Sequence, residues 1–197
     1  MIELQIKGCK VHLHFSIFAL AAFSALFAGA ENGVLLLAFI LMHETAHLLA
    51  MLFCGISPKS VIISALGMRI LLHPAQRPKY QESACISLAG PLSNLAIGAL
   101  CILFHAETAM QINFCIGFFH LLPLEPLDGG LALRALLSAV FEKEKADRIS
   151  TVVSFTVVFP LMVLGFLLLI YTRNFSLLLV ALYAMLYLLL RNGKFEL

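Results

Sequence analysis

The residues best suited to chemistry lie in one turn, the run His43-Glu44-Thr45-Ala46-His47. On a helix, positions i and i+4 share a face, about 6 Å apart along the axis. Two imidazoles at that spacing can grip one ion together, and a carboxylate next to them can reach water at that ion. This is the H-E-x-x-H arrangement: His43 and His47 as zinc ligands, Glu44 as general base. The surroundings sharpen the reading. Val34 to Phe53 is otherwise apolar, and an acid at the centre of a membrane helix costs roughly 2.5–3.5 kcal/mol, so such residues are usually functional. The plainer alternative is a pair of interfacial histidines with Glu44 snorkelling from a helix end.

A catalytic zinc takes three protein ligands and keeps one position open. The third ligand is expected in another stretch. Ile112 to Val140 covers about 29 residues, more than the ~20 needed to cross a bilayer. Pro123, Pro126, Gly129 and Gly130 interrupt it, and Glu125 and Asp128 lie within the interruption. A carboxylate in the gap of a discontinuous membrane helix is a common binding-site device. Asp128 is the first choice for the ligand and Glu125 its competitor. The plain reading of Asp128 is a turn residue before Gly129-Gly130. A complete site of this kind would hydrolyse a peptide bond, with Glu44 taking a proton from water and returning it to the leaving amine.

Composition fixes the solvent of these elements. The 197 residues are 61% hydrophobic and 12% charged, and the mean hydropathy is +1.00, so the surroundings are a bilayer. A net charge of +2 is too small and scattered for nucleic acid. The five cysteines include no C-x-x-C pair and mostly sit in apolar runs, so they are small buried hydrophobes. The first apolar run is too long for a cleaved signal peptide.

Six spans are expected. After a short polar lead, His12 and His14 flank the first, Val11 to Ala30. Glu31-Asn32-Gly33 is expected to turn, with Gly33 left-handed at a helix end. The second span carries the histidines and is stopped by Gly55 and Pro58. Val61 to Leu72, with Gly67 in its middle, is too short for a span and is expected to form a membrane-dipping β-hairpin. The third span is Ala84 to Phe104. Its Gly90, Asn94 and Gly98 recur every four residues; the glycines suit close packing, and Asn94 fits either packing or a hydrogen bond into a site. The interrupted stretch is the broken fourth helix. Ile149 to Ile170 and Phe175 to Leu190 complete the set, with Glu142 to Arg148 as a solvated, mixed-charge end. The fold class is thus all-α and multi-pass, with one small hairpin. Of the 13 Lys and Arg residues, eleven fall on one side, Arg173 on the other and Arg134 within a span. Both termini are therefore expected in the cytoplasm.

At these residues the sequence resembles the site-2 protease family of intramembrane zinc metalloproteases (peptidase family M50). The resemblance runs from Val11-His12-Leu13-His14-Phe15, through His43-Glu44-Thr45-Ala46-His47 and Ala89-Gly90-Pro91-Leu92-Ser93-Asn94, to the Leu121–Arg134 stretch with Leu127-Asp128-Gly129-Gly130. The His-x-His start and short six-span core are most similar to the stage IV sporulation protease group. What the resemblance implies is one zinc ion bound by His43, His47 and Asp128, with Glu44 catalytic. Asn94, His120, Gly67 and Pro126 are expected to hold substrate or steady these groups. It also implies a membrane-tethered protein substrate, such as a pro-sigma or anti-sigma factor, a membrane regulatory partner, and residence in a bacterial cell or forespore membrane. Two positions depart from the family's pattern. His120 stands where an Asn usually precedes the first proline, and Leu131 where an Arg usually follows Asp-Gly-Gly. One domain is expected over 1–197, without a PDZ or CBS domain. The competing classes are a catalytically inactive binder of the same fold and a metal transporter, the latter disfavoured by the absence of internal repeats.

Overall fold

The computed structural model describes residues 2–6, 9–16, 19, 22, 26, 29–64, 67–72 and 76–192. The chain separates into two compact units: Met1–Glu82 with Ala89–Phe118, and Ser83–Leu88 with Phe119–Leu197.

The first unit holds a four-stranded sheet and the helix that carries the histidines. The strands are β1 (Ile2–Ile6), β2 (Cys9–Leu13), β3 (Pro58–Ser64) and β4 (Gly67–Leu72), in the order β1-β2-β3-β4. The expected hairpin is present as β3 and β4, antiparallel, with Val61 opposite Ile70 and Ser64 opposite Gly67. The β-branched run Val61-Ile62-Ile63 suits a pleated surface. The sheet is larger than expected. β1 pairs antiparallel with β2, and β2 pairs parallel with β3, so residues read as a polar lead and the start of a span are strands. The sequence carries the sign of this: Ile2, Leu4 and Ile6 alternate with Glu3 and Gln5, a period of two. Within the expected first span, residues 17–18, 20–21, 23–25 and 27–28 lie outside the described residues.

Helix α1 runs Ala30–Phe53. Its start corrects one expectation, because Glu31, Asn32 and Gly33 lie inside its first turns. Gly29, at φ 82°, takes the positive-φ position instead, and Glu31 meets the positive end of the helix dipole. Its end is as expected. Gly55 is left-handed, at φ 73°. Its N–H donates to Leu52 O at 2.9 Å and that of Ile56 to Met51 O at 3.0 Å, which closes the last turn as a Schellman motif. Helix α2 (Tyr80–Leu103) begins where the Lys79 N–H donates to the Glu82 carboxylate at 2.8 Å, half of a capping box. Helix α3 runs Glu107–His120.

The second unit contains α4 (Asp128–Val140), α5 (Lys143–Thr172) and α6 (Ser176–Asn192). The interruption is real: α3 stops at His120 and α4 starts at Asp128. Leu124, Val158, Ala181, Ala184 and Leu188 form the core of this unit. Three described helices, α1, α2 and α5, are long and apolar enough to cross a membrane, and α6 is a shorter apolar helix. The chain is an integral membrane protein with a mostly helical fold.

Small residues set the helix spacing in the second unit. A Cβ built on Gly165 would lie 2.8 Å from the Leu178 Cα, so α5 and α6 touch backbone to backbone there. Gly165→Ala must push them apart, at an expected cost of about 1–3 kcal/mol. The check is thermal aggregation in detergent, where the variant should melt several degrees below the natural chain.

Candidate metal centre

In the first unit, α1 places His43 and His47 one turn apart and buries both, at 3% and 8% exposure. Their Nε2 atoms stand 3.1 Å apart, so the two rings turn their far nitrogens toward one spot. Glu44 is half-buried on the same turn. Gly90, inside α2, faces that spot. A Cβ there would lie 2.7 Å from His43 Nε2 and closer still to His47 Nε2. Only glycine leaves the position open. Two buried imidazoles whose Nε2 atoms face one spot suit zinc, whose bonds to histidine nitrogen are about 2.0–2.1 Å. The sequence pattern suggests packing for Gly90, whereas what it faces is this pair of ring nitrogens.

Asn94 follows Gly90 by one helical turn and is fully buried. Its Oδ1 lies 2.6 Å from His43 Nδ1. Its Nδ2 donates to Asn113 Oδ1 at 2.9 Å, and Asn113 Nδ2 donates to the Ala109 carbonyl at 2.8 Å. Asn94 thus touches a candidate ligand, on its outer nitrogen. Asn113 escaped the sequence reading, for a lone Asn 70 residues after His43 carries no pattern. Gly67 opens β4 opposite Ser64.

In the second unit, His120 Nδ1 lies 2.6 Å from Asp128 Oδ2, at 33% and 16% side-chain exposure. The imidazole N–H donates to the carboxylate, the donation that an Asn at position 120 would make. Gly129 and Gly130 let the loop fold back on itself: a Cβ on Gly129 would meet the Leu122 carbonyl at 2.6 Å, and one on Gly130 the Leu124 carbonyl at 2.7 Å. Pro126 is half-buried in the same loop.

Glu125 is drawn elsewhere. It has no exposed surface. Ser150 donates to its Oε1 at 2.7 Å, Arg191 binds its Oε2, and Arg134 approaches that oxygen at 4.0 Å. The Glu125 N–H donates to Ser154 Oγ at 3.2 Å. Arg134 Nε also donates to Asp147 Oδ1 at 2.6 Å, as does Arg191 from 3.4 Å. Asp147 is therefore buried at 7% exposure and not part of a solvated segment. Two carboxylates and two guanidiniums leave this cluster neutral, which an apolar unit requires.

The fold is one already known. It matches the solved site-2 protease from Methanocaldococcus jannaschii with a TM-score of 0.66 over 93% of this chain and 91% of that one, at 23% identity. The sequence profile of Peptidase family M50 matches residues 105–164. Zinc metalloprotease Rip3 of Mycobacterium tuberculosis is 36% identical over 125 residues, 55% of this chain and 31% of that protein. Stage IV sporulation protein FB of Bacillus subtilis is 27% identical over 150 residues, 72% of this chain and 52% of that protein. The chain thus spans about a third to a half of the curated relatives it matches. Together these bear out the resemblance to the site-2 protease family, peptidase family M50.

The buried ion cluster yields a stability prediction. Glu125→Leu strips a partner from the partly buried Arg191 and leaves its charge uncompensated, and should cost about 3–5 kcal/mol. Arg191→Leu should cost a similar amount, and the double variant clearly less than the sum. Thermal midpoints of the purified chains in detergent read all three.

Proposed function

We propose that this chain is an intramembrane zinc endopeptidase of the site-2 type. The observation that carries the reading is the His43–His47 pair, buried with both Nε2 atoms turned to a spot that Gly90 keeps open. Two nitrogens fall one short of a catalytic set, and Asp128 is proposed as the third ligand. It is the carboxylate held by a donor, His120, whereas Glu125 is already committed to Ser150 and Arg191. Zinc at such a site supplies Lewis acidity that activates water at neutral pH.

The chain's own residues do the rest. The His43 and His47 rings orient the donors. Glu44, one residue from His43, takes the proton from the attacking water and delivers it to the leaving nitrogen. Asn94 and His120 steady His43 and Asp128 from outside. His43 and His47, on α1, are held away from bulk water. The scissile segment must be extended, because a helix hides its carbonyls in hydrogen bonds. β4 stands last in the strand order and offers a template for such a segment. The substrate class proposed is a membrane-tethered protein such as a pro-sigma or anti-sigma factor. A membrane regulatory partner, both termini in the cytoplasm and a role in sporulation or a related regulated proteolysis belong to the same proposal.

Co-expression with tagged membrane-tethered pro-sigma and anti-sigma factors tests it. The natural chain should release a product that Glu44→Gln does not. Bound zinc, measured on purified protein, should be one per chain. It should stay so in Glu44→Gln and fall in His43→Ala, Asp128→Ala and Gly90→Ala. Stoichiometric zinc without cleavage of any substrate points to the inactive binder, and His120→Asn should then restore cutting if position 120 is the cause.

The role of β4 has its own test. Alternate residues of an edge strand point their N–H groups away from the sheet. Proline at those positions within Gly67–Leu72 should lower cleavage several-fold while zinc content holds. Unchanged cleavage across the strand sinks this part of the proposal.

A further inference from the structure

The hydrogen bonds around His43 have a direction, and one group imposes it. The Ala109 carbonyl in α3 can only accept. The Asn113 group 2.8 Å from it must therefore be the amide Nδ2, and Asn113 Oδ1 is left facing Asn94. An oxygen there demands a donor, so Asn94 presents Nδ2 to it, at 2.9 Å. That turns Asn94 Oδ1 toward His43 Nδ1, at 2.6 Å. An amide oxygen can only accept, so His43 carries its proton on Nδ1. In a neutral ring the lone pair is then on Nε2, the nitrogen turned toward His47 and the Gly90 spot.

We infer that Asn113 is a positioning residue for His43: it fixes the tautomer of the candidate ligand from two side chains away. Asn94 alone cannot do this. Its amide is nearly symmetric in shape, and a flipped Asn94 would offer a donor to Nδ1 and select the other tautomer, with the proton on Nε2. Asn113 forbids the flip, since a flipped Asn94 would set oxygen against oxygen. Asn113 cannot flip in turn, because its own oxygen would then face the Ala109 carbonyl. Both amides are fully buried, at 0% exposure, so a misdirected group would have no water to turn to. The relay links α1, α2 and α3 without a charge. Its consequence for metal rests on the proposed zinc site. Its consequence for the tautomer does not.

Two measurements separate these. In the metal-free chain with 15N-labelled histidine, the His43 ring should show a single tautomer protonated at Nδ1. Asn113→Leu should lose that single state. In the zinc-binding chain, competition with a chelator should give Asn113→Leu about 10- to 100-fold weaker affinity, the range for lost outer-shell partners. The sign should reverse in an Asn94→Asp background. A carboxylate accepts from His43 in either orientation, and there the Asn113 oxygen is the misfit, so Asn113→Leu should raise zinc affinity. A chain that merely needs Asn113 to pack loses affinity in both backgrounds. An unchanged tautomer in Asn113→Leu, or an effect of the same sign in both backgrounds, overturns the inference. Absence of zinc from the natural chain overturns the proposed function instead and leaves the tautomer measurement to decide this one.

Discussion

A polar group inside a bilayer has no water to fall back on, and that constraint organises the described residues of this chain. Backbone groups meet it by forming helices and a sheet. Side chains meet it in two other ways. Around His43, neutral amides pass a hydrogen bond from Asn94 through Asn113 to a backbone carbonyl. Around Glu125, opposite charges cancel among Arg134, Asp147 and Arg191, with Ser150 donating to Glu125 Oε1. The first way leaves no net charge and a strict direction. The second tolerates several orientations but costs desolvation of four ions. Each suits its place, since a candidate metal ligand needs a defined lone pair and a loop needs a firm anchor.

What was legible in the sequence follows from how local the information is. The His43–His47 pair, the stop at Gly55, the β3–β4 hairpin and the break before Asp128 are each encoded within a few residues. Glycines, prolines and i, i+4 spacing have meaning on their own. The partners of Glu125 do not, for Arg191 lies 66 residues away and nothing near Glu125 announces it. Asp147 was misread for the same reason. Among Glu142, Lys143, Glu144, Lys145 and Arg148 it looks like one more solvated charge, and only the approach of Arg134 and Arg191 explains its burial. The strands β1 and β2 were a different failure. Their alternation was visible, but it adjoined an apolar run, and hydropathy absorbed the end of one pattern into the start of the other.

Glycine shows how one residue type serves separate ends here. Gly165 lets two helix backbones touch, and Gly55 supplies a left-handed turn. Gly90 does neither. Its backbone is ordinary helix, and its surroundings are two imidazole nitrogens rather than another backbone. Spacing by fours with Asn94 and Gly98 hid that difference. Gly98 faces the Phe114 ring, where a Cβ would come to 3.0 Å, which is plain packing against a side chain. The same pattern therefore contains a packing glycine and one that keeps a site open, and only the neighbours distinguish them.

The histidine at position 120, where the family resemblance leads one to expect an asparagine, can be judged by hydrogen-bond roles. A histidine ligand and a carboxylate ligand need opposite outer partners: the first needs an acceptor for its spare N–H, the second a donor to its spare oxygen. An amide can serve either way, which is why Asn94 needs Asn113 to decide for it. Next to Asp128 no such decision is needed, because the carboxylate itself compels whatever faces it to donate. An imidazole does so through Nδ1 as readily as an amide does through Nδ2, and the 2.6 Å separation of His120 from Asp128 is that bond. In hydrogen-bond terms His120 is a conservative replacement. What it changes is bulk and a second ring nitrogen, so any functional difference at this position should arise from the space the ring fills and not from a lost donation to Asp128.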